Sequence, residues 1–324
     1  MLVRADTDDG DDGDDEGNAA VLEERADAAA LCARLGLREA TLHRFPAGSL
    51  PVYAVGERYV LKLFPAASAA EGVAEARVLA HLQGRLPVPT PYVHDAGEYG
   101  NGRRYLLMSR LRGDDLAVAW PRVPRADRDR IATEVGETLA ALHALDPAPL
   151  ADVLGPGDWS AFLDAQRATA VSRQRARGLP DPWLERIPDF LDSVRPPAAR
   201  PDMDGKAAGV LLHTEFMRQH LLIDAHDDWR LTGLVDFEPA MIGDRAYDFV
   251  AVGLFVSRGD PRLLGRVLRA YGAAFDPRTL LAHALLHVHS NFPWYLRELP
   301  APPRPTLEAL AERWFAADRT RWGE

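Results

Sequence analysis

The sequence is poor in cysteine, in long apolar runs and in basic charge. Cys32 is the only cysteine among 324 residues, which excludes an intrachain disulfide and leads us to expect a reducing, cytoplasmic location. No apolar run approaches the ~20 residues that a bilayer-spanning helix needs, so we expect no membrane association. The N-terminus lacks a basic stretch followed by an apolar one, so no secretory signal is expected.

Negative charge is concentrated at the N-terminus. The formal net charge is -10, and residues 1–25 contain ten acidic residues and two arginines, which accounts for eight of these charges. An Asp/Gly-rich stretch with little apolar surface cannot offset the entropy of ordering the chain, so we predict that residues 1–18 form a disordered acidic tail. The rest of the chain is nearly neutral and has no basic face to neutralise phosphates. Nucleic acid is therefore not an expected partner.

After the tail, the chain divides into two regions of different character. Residues 19–35 have a helical pattern, and residues 38–111 contain short β-like runs, turn residues and one amphipathic helix. From Pro124 onward the apolar spacing becomes helical. We therefore predict an α+β protein, with a small antiparallel β-rich lobe over residues 19–111 and a larger, mainly α-helical lobe over residues 112–324. The helices predicted in the larger lobe include residues 159–174, 183–194, 260–272, 277–298 and 307–321.

Polar side chains gather at the ends of two short apolar runs inside the helical region. His213, Glu215 and His220 precede the first run, and Asp236 and Glu238 directly follow the second. A turn-rich segment separates the two runs, which predicts a hairpin with acids and imidazoles at its strand ends. Such a hairpin is a suitable platform for a general base and a metal ion.

A lysine stands in the middle of an apolar strand near the N-terminus. Lys62 lies between Leu61 and Leu63 in the run YVLKLF. A lysine charge in such a place must be solvated or paired. Taken alone, the pattern is also compatible with a lysine on the open face of a half-exposed sheet.

These features, taken in chain order, resemble the aminoglycoside phosphotransferase family of small-molecule kinases. The resemblance rests on Lys62 in a strand, Glu75 in the next helix, and the segments YLLMSRLRG, LLHTEFMRQHLLI and LTGLVDFEPAMIGDRAYDF. It covers roughly residues 38–300 and, within the family, is loosely nearest to the hygromycin kinases. It implies a two-lobed protein-kinase-like fold. It also implies ATP-dependent transfer of a γ-phosphate to a hydroxyl of a small molecule, with aminoglycosides and related antibiotics as candidate acceptors.

The resemblance assigns residues to the nucleotide. Lys62 would contact the α- and β-phosphates of ATP and be held by a salt bridge to Glu75, which would also explain a charge inside an apolar strand. The other implied nucleotide contacts are Gly48 and Ser49 in a loop over the phosphates, and the backbone of Met108, Ser109 and Leu111 at the adenine.

The resemblance also assigns the reacting groups. Asp236 would ligate Mg²⁺, with His220 as the second metal ligand, and Glu215 would accept or orient the proton of the substrate hydroxyl. His213 belongs to the same catalytic set, where it would brace the loop, and either Asp244 or Asp248 would cap a helix and hold that loop. The implied acceptor-side residues are Trp294, Tyr295 and Glu298. Glu238 is either a further acceptor-side residue or, because it is close to Asp236, a second group on the metal side.

Two residues depart from the family pattern. The family usually reads His-Gly-Asp and then Asn five residues later, whereas this chain reads His213-Thr214-Glu215 and then His220. Glu215 is longer by one methylene, which moves its carboxylate by ~1.5 Å. Imidazole is a softer ligand than an amide oxygen, so His220 suits Mn²⁺ or Zn²⁺ better than Mg²⁺. Three alternatives stay open: a single metal on Asp236, a preference for Mn²⁺ or Zn²⁺, and a pseudokinase that binds nucleotide or a partner with weakened or no phosphotransfer.

A remote alternative uses the same histidines differently. His213, Glu215 and a distant histidine such as His289 match the composition of a two-histidine, one-carboxylate iron site of an oxygenase. Such sites normally lie on a scaffold of many strands, whereas the C-terminal half of this sequence is helical. Neither the acceptor nor the oligomeric state follows from the sequence. The kinase interpretation accounts for the largest number of these residues.

Overall fold

The computed structural model of the protein describes residues 13–194 and 209–318. The described residues form two compact units. The first unit runs up to Gln83 and resumes at Pro91–Leu111, and the second comprises Gly84–Thr90 and the residues from Arg112 onward.

One segment of the predicted N-terminal lobe belongs to the second unit. The prediction placed all of residues 19–111 together, but Gly84–Thr90 packs with the larger unit. Contacts of this segment explain its place in the larger unit. The carbonyl of Pro89 accepts the N–H of Leu234, in β9, at 2.9 Å, and Val88 is buried.

The first unit is a five-stranded antiparallel sheet with two helices. The strand order is β1-β2-β3-β5-β4, and α2 packs against β3, β4 and β5. Apolar residues of β3, Leu61 and Leu63, join residues of α1 such as Leu31 in one core. Because side chains alternate along a strand, Lys62 points to the opposite face from Leu61 and Leu63. In chain order the elements are α1 (Gly13–Arg34), β1 (Leu42–Arg44), β2 (Val52–Val55), β3 (Tyr59–Phe64), α2 (Ala69–Leu82), β4 (Val93–Gly100) and β5 (Arg103–Ser109).

Helix α1 begins earlier than the sequence pattern suggested. It starts at Gly13 rather than at residue 19, so residues 13–18 of the predicted tail lie within the helix. Acidic residues are favourable in the first turn of a helix because of the helix macrodipole, so an acidic composition is compatible with a helix start. Residues 1–12 of the predicted tail lie outside the described residues.

The second unit is mainly helical and contains two small antiparallel sheets. One has the strand order β6-β8-β9, and the other pairs β7 with β10. The predicted hairpin is therefore β8 and β9. In chain order the elements are β6 (Asp114–Asp115), α3 (Leu116–Ala119), α4 (Arg125–His143), α5 (Trp159–Ala176), α6 (Asp181–Leu184), α7 (Ile187–Ser193), β7 (Val210–Leu212), β8 (Leu221–Asp224), β9 (Arg230–Leu234), β10 (Met241–Gly243), α8 (Asp248–Ala251), α9 (Pro261–Tyr271), α10 (Pro277–Leu286), α11 (Phe292–Glu298) and α12 (Leu307–Phe315). Among the described residues, no helix is both long and apolar enough to cross a membrane.

The long helix predicted over residues 277–298 is wrong, because the structure has two helices there. Helix α10 ends at Leu286 and α11 begins at Phe292. The side chain of Asn291 caps α11 by accepting the N–H of Trp294 at 3.2 Å. Pro293 is tolerated near a helix start, whereas in a helix interior it would remove a hydrogen bond. The last helix likewise ends at Phe315, before the predicted residue 321.

Helices α4 and α9 approach each other closely at a glycine. A Cβ added to Gly136 would overlap the carbonyl oxygen of Val267 and lie 2.7 Å from the Cβ of Ala270. Backbone and a short side chain cannot move aside as a flexible side chain would. Gly136 therefore allows the helices to pack at this distance.

We expect Gly136→Ala to lower the free energy of unfolding by about 1–3 kcal/mol, because overpacking outweighs the ~1 kcal/mol gain in helix propensity. Urea unfolding measures the change. The matched control is Glu137→Ala, an exposed position in the same helix, which should shift stability by no more than about 0.5 kcal/mol. A Gly136→Ala protein as stable as the wild type would contradict the packing described.

Candidate active site

The predicted catalytic residues lie on the loop that connects β7 to β8. Since β7 and β8 belong to different sheets, this loop, residues 213–220, crosses from one sheet to the other. Two non-glycine residues of the site region have left-handed backbone, Thr214 with φ 72° and Asp236 with φ 70°. Left-handed backbone is uncommon for such residues, and most of all for a β-branched one. Strong local contacts must therefore hold this backbone.

For Thr214, Asp248 supplies those contacts from the start of α8. Its buried carboxylate accepts the N–H of His213 at 2.9 Å and the N–H of Thr214 at 2.6 Å. His143 Nε2 lies 3.0 Å from the same carboxylate and donates a third hydrogen bond. A buried charge is tolerated when several donors replace water. Asp244 instead caps the short helical turn that follows it, so the two roles expected of Asp244 or Asp248 are divided between them.

His213 lies in the core next to the end of β9. Its side chain is fully buried, and its Nε2 lies 3.1 Å from the carbonyl oxygen of Val235, to which it donates. Burial lowers the pKa of His213 to about 4, so the ring is neutral near pH 7. Its ring packs 4.6 Å from that of Phe237. Through these contacts with Val235 and Phe237, His213 connects the loop to the segment that carries Asp236.

Glu215, His220 and Asp236 form a cluster of potential ligands. One side-chain ligand atom from each lies within 4.8 Å of the others, and all three residues are half-buried. His220 Nδ1 is 2.8 Å from the carbonyl oxygen of Glu215, so Nδ1 carries a proton and donates it. His220 Nε2 is 3.2 Å from Asp236 Oδ2. The structure therefore brings together three of the residues that the sequence singled out.

The spacing of this cluster fits a divalent cation. Nε2 of His220 and Oδ2 of Asp236 lie this close only around a shared proton or a shared cation. Two ligands at ~2.1 Å from an ion and at right angles lie ~3.0 Å apart, close to the 3.2 Å observed. One imidazole with two carboxylates suits Mn²⁺ better than a set of oxygen ligands alone would.

A cavity of about 30 Å³ adjoins Glu215. Its lining includes Thr214, Phe255, Met217 and Tyr295, so its walls are mostly apolar. His289 also lines it, with Nε2 3.7 Å from Glu215 Oε1.

The residues predicted on the acceptor side have different surroundings. Tyr295 is buried at the cavity, and burial raises its pKa to about 12. Trp294 stacks on Phe255 with ring centroids 5.5 Å apart. Glu298 is exposed and lies 3.6 Å from the Arg297 guanidinium. Glu238 is half-buried, two residues beyond Asp236.

His287 is a structural member of the site, and its contact with the catalytic loop did not follow from the sequence pattern. It is buried, its Nε2 donates to the carbonyl of Thr214 at 3.3 Å, and its Nδ1 accepts the N–H of His289 at 3.2 Å. Its ring stacks on Tyr247 at 4.4 Å. His287 and Thr214 are 73 residues apart, and no local pattern in a single sequence predicts that contact.

In the first unit, Lys62 and Glu75 form the predicted ion pair. The Lys62 Nζ lies 2.8 Å from Glu75 Oε2, and the two residues are 5% and 1% exposed. The pairing thus explains a charge inside an apolar strand. Gly48 lies in the exposed loop between β1 and β2 with φ 115°, next to the exposed Ser49.

Part of the predicted adenine-binding segment is already hydrogen-bonded within its own unit. The N–H of Ser109 donates to the carbonyl of Tyr92, and the Ser109 hydroxyl accepts the N–H of Tyr92, both at 2.8 Å. Met108 is buried in β5, and Leu111 follows the strand.

A model of the phosphotransferase enzyme family, APH, matches residues 41–283. The chain belongs to this family. The resemblance to a phosphotransferase family is thereby confirmed.

Solved structures confirm the protein-kinase-like α+β fold of this phosphotransferase. The GDP and kanamycin complex of APH(2")-IIIa is 20% identical, with a TM-score of 0.59 over 76% of this chain and 82% of that chain. The ternary complex of streptomycin, ATP and APH(2")-IIa is 17% identical, with a TM-score of 0.54 over 81% of this chain and 87% of that chain.

A curated relative is much longer than this phosphotransferase. Lysine-specific demethylase JMJ21 of Arabidopsis thaliana is 26% identical over 200 residues, which is 52% of this chain and 21% of that protein. The chain thus spans about a fifth of the length of the curated relative it matches.

We expect the phosphotransferase to lose stability in acid partly through His287. Burial lowers the pKa of His287 to about 3, below the 6.5 of an unperturbed histidine, so between these values the unfolded chain binds a proton that the folded chain does not. The free energy of unfolding should therefore fall by about 2 kcal/mol from this residue between pH 8 and pH 5. Urea unfolding of wild type and His287→Gln at both pH values measures the contribution of His287 to this pH dependence.

The glutamine amide can occupy both hydrogen bonds of His287 without titrating, so His287→Gln should show the smaller loss in acid. Replacement of the exposed His226, in the turn between β8 and β9, by glutamine is the control and should leave the pH dependence close to that of the wild type. Equal pH dependence in wild type and His287→Gln would contradict the burial of a neutral imidazole.

Proposed function

We propose that this phosphotransferase is an ATP-dependent kinase that transfers the γ-phosphate to a hydroxyl of a small molecule, with aminoglycosides and related antibiotics as the first acceptors to test. The observation that carries the proposal is the cluster of Glu215, His220 and Asp236, whose ligand atoms lie within 4.8 Å of one another. The ATP, GDP, kanamycin and streptomycin complexes of similar proteins support the choice of nucleotide and acceptor class. A reducing, cytoplasmic location is part of the proposal, consistent with the buried free thiol of Cys32.

On the nucleotide side, Lys62 contacts the α- and β-phosphates and Glu75 fixes the lysine. Gly48 and Ser49 belong to the loop assigned to the phosphates. The N–H of Ser109 is committed to Tyr92, so the adenine contacts depend on the other backbone groups of the segment from Met108 to Leu111.

On the metal side, Asp236 and His220 would hold one divalent cation, Mg²⁺ or Mn²⁺. When bound, the ion neutralises charge on the phosphate oxygens. Nδ1 of His220 donates to the Glu215 carbonyl, which fixes the ring so that Nε2 is presented as the ligand.

Glu215 accepts the proton of the acceptor hydroxyl. The hydroxyl oxygen forms a bond to the γ-phosphorus, the bond from phosphorus to the β-γ bridging oxygen breaks, and ADP leaves with that electron pair. Asp248 and His213 hold the loop backbone, so the carboxylate is preorganised before substrate arrives. Trp294, Tyr295, Glu238 and Glu298 are proposed on the acceptor side, and Tyr295 lines the same cavity as Glu215.

Two alternatives remain as outcomes of the test. A pseudokinase is favoured by the departures at Glu215 and His220, and by His289 only 3.7 Å from the Glu215 carboxylate. The iron-oxygenase alternative has less support. Within the described ranges, Glu215 clusters with His220 and Asp236, and no cluster joins it to His213 and His289.

We expect Asp236→Asn to reduce phosphotransfer by at least ~100-fold, because the carboxylate is the main anionic ligand of the proposed metal. Product is measured as the phosphorylated acceptor by mass spectrometry, with ATP, Mg²⁺ or Mn²⁺, and a panel of hydroxylated antibiotics and metabolites. The matched control is Asp227→Asn, an exposed carboxylate in the turn between β8 and β9, which should change turnover by less than about twofold. His220→Asn should raise the ratio of Mg²⁺-supported to Mn²⁺-supported turnover.

Unchanged turnover in Asp236→Asn would refute the site assignment. A nucleotide-dependent rise in melting temperature without any phosphorylated product would instead establish the pseudokinase. Iron retained through purification would revive the oxygenase.

A further inference from the structure

His289 lies beside the proposed base and is accessible from outside the protein. Its Nε2 is 3.7 Å from Glu215 Oε1, and the side chains of His289 and Glu215 are 51% and 22% exposed. The separation is longer than a hydrogen bond, so the two groups do not bind each other directly. Lys62 and Glu75, at 2.8 Å, show the distance of a closed pair.

The backbone of His289 is held through both of its polar groups. Its N–H donates to His287 Nδ1 at 3.2 Å, and its carbonyl accepts the hydroxyl of Tyr295 at 3.3 Å. His287 in turn donates from Nε2 to the carbonyl of Thr214, the residue before Glu215. Two consecutive hydrogen bonds thus fix the backbone of His289 relative to the loop of residues 213–220.

Helix α5 holds the residues that follow His289. The side chain of Gln174 is fully buried. Its amide donates to the Ser290 hydroxyl at 2.9 Å and accepts the N–H of Phe292 at 3.0 Å. Because a long helix holds this segment, the position of His289 beside Glu215 is set before a substrate arrives.

The distance between His289 and Glu215 fits one shared hydroxyl oxygen. Two groups that each lie ~2.8 Å from one oxygen, at ~80–110° around it, are ~3.6–4.6 Å apart. The observed 3.7 Å falls within this range. A hydroxyl has one proton and two lone pairs, so its oxygen can donate to Glu215, accept from His289 and keep one lone pair for the γ-phosphorus.

We propose that His289 is a catalytic residue that binds the acceptor hydroxyl together with Glu215. This inference rests on the proposed phosphotransfer. The Nε2–H of His289 donates to the acceptor oxygen and directs the hydroxyl proton toward Glu215. As that oxygen bonds to the γ-phosphorus, the proton passes to the Glu215 carboxylate, the bond from phosphorus to the β-γ bridging oxygen breaks, and ADP leaves with that electron pair.

Water is the simplest probe of this pair, because its oxygen has the size and the hydrogen-bonding groups of a hydroxyl. Crystals of the full chain, grown without nucleotide or acceptor, should contain an ordered water within ~3.0 Å of both His289 Nε2 and Glu215 Oε1. His289→Gln should keep this water, because the glutamine amide nitrogen can take the place of Nε2. His289→Phe, which keeps a planar ring but has no donor, should lose it.

Kinetics provide the second measurement. For any acceptor that the wild type phosphorylates, His289→Phe should lower the acceptor kcat/KM at least ~10-fold, while the KM for ATP stays within about twofold. His289→Gln should keep both within about threefold of the wild type. The matched control is His226→Phe, at an exposed position in the turn between β8 and β9, which should change neither by more than about twofold.

Three results would each overturn the inference. They are a wild-type crystal with no water between the two side chains, a direct hydrogen bond of ~2.8 Å from His289 Nε2 to Glu215, and an unchanged acceptor kcat/KM in His289→Phe. If the water is present as expected but none of the proteins phosphorylates any acceptor, the proposed phosphotransfer is wrong and the pair stands as a hydroxyl-binding site.

Discussion

The candidate site depends on one buried carboxylate. Asp248 accepts hydrogen bonds from the backbone of His213 and Thr214 and from the side chain of His143. These bonds stabilise a left-handed residue in the middle of the loop, and that turn sets where Glu215 and His220 lie. His143 is in turn joined to Tyr271 of α9 at 2.9 Å. The geometry of the loop is thus coupled to the packing of the helical unit.

Sequence patterns were sufficient for the features that are encoded locally. The strand with Lys62, the helix with Glu75 and the hairpin ends with Asp236 each have a recognisable spacing, and the structure joins Lys62 to Glu75 as predicted. The break between α10 and α11 is also encoded in the local sequence. Asn291 and Pro293 marked a helix start that the apolar pattern had obscured.

The remaining features depend on contacts between distant parts of the chain. Asp248 and His143 are 105 residues apart, and His287 reaches Thr214 across 73 residues. Neither pairing leaves a periodic signal, because each depends on how the helices pack. The departures from the family pattern at Glu215 and His220 could be seen in the sequence, but the positions of their side chains relative to Asp236 could not be predicted from it. The structure adds that His220 is oriented by the Glu215 carbonyl toward Asp236, a geometry suited to a cation.

The most direct test of this account replaces Asp248 with asparagine and measures Mn²⁺ binding by electron paramagnetic resonance. The substitution changes none of Glu215, His220 and Asp236. It puts an amide N–H₂ group among three hydrogen-bond donors, where the native carboxylate only accepts. We predict that Mn²⁺ affinity falls at least ~10-fold in a protein whose circular dichroism remains folded, while Asp244→Asn, which keeps a capping side chain, binds Mn²⁺ as the wild type does. Unchanged Mn²⁺ affinity in folded Asp248→Asn would contradict the claim that this carboxylate positions the site.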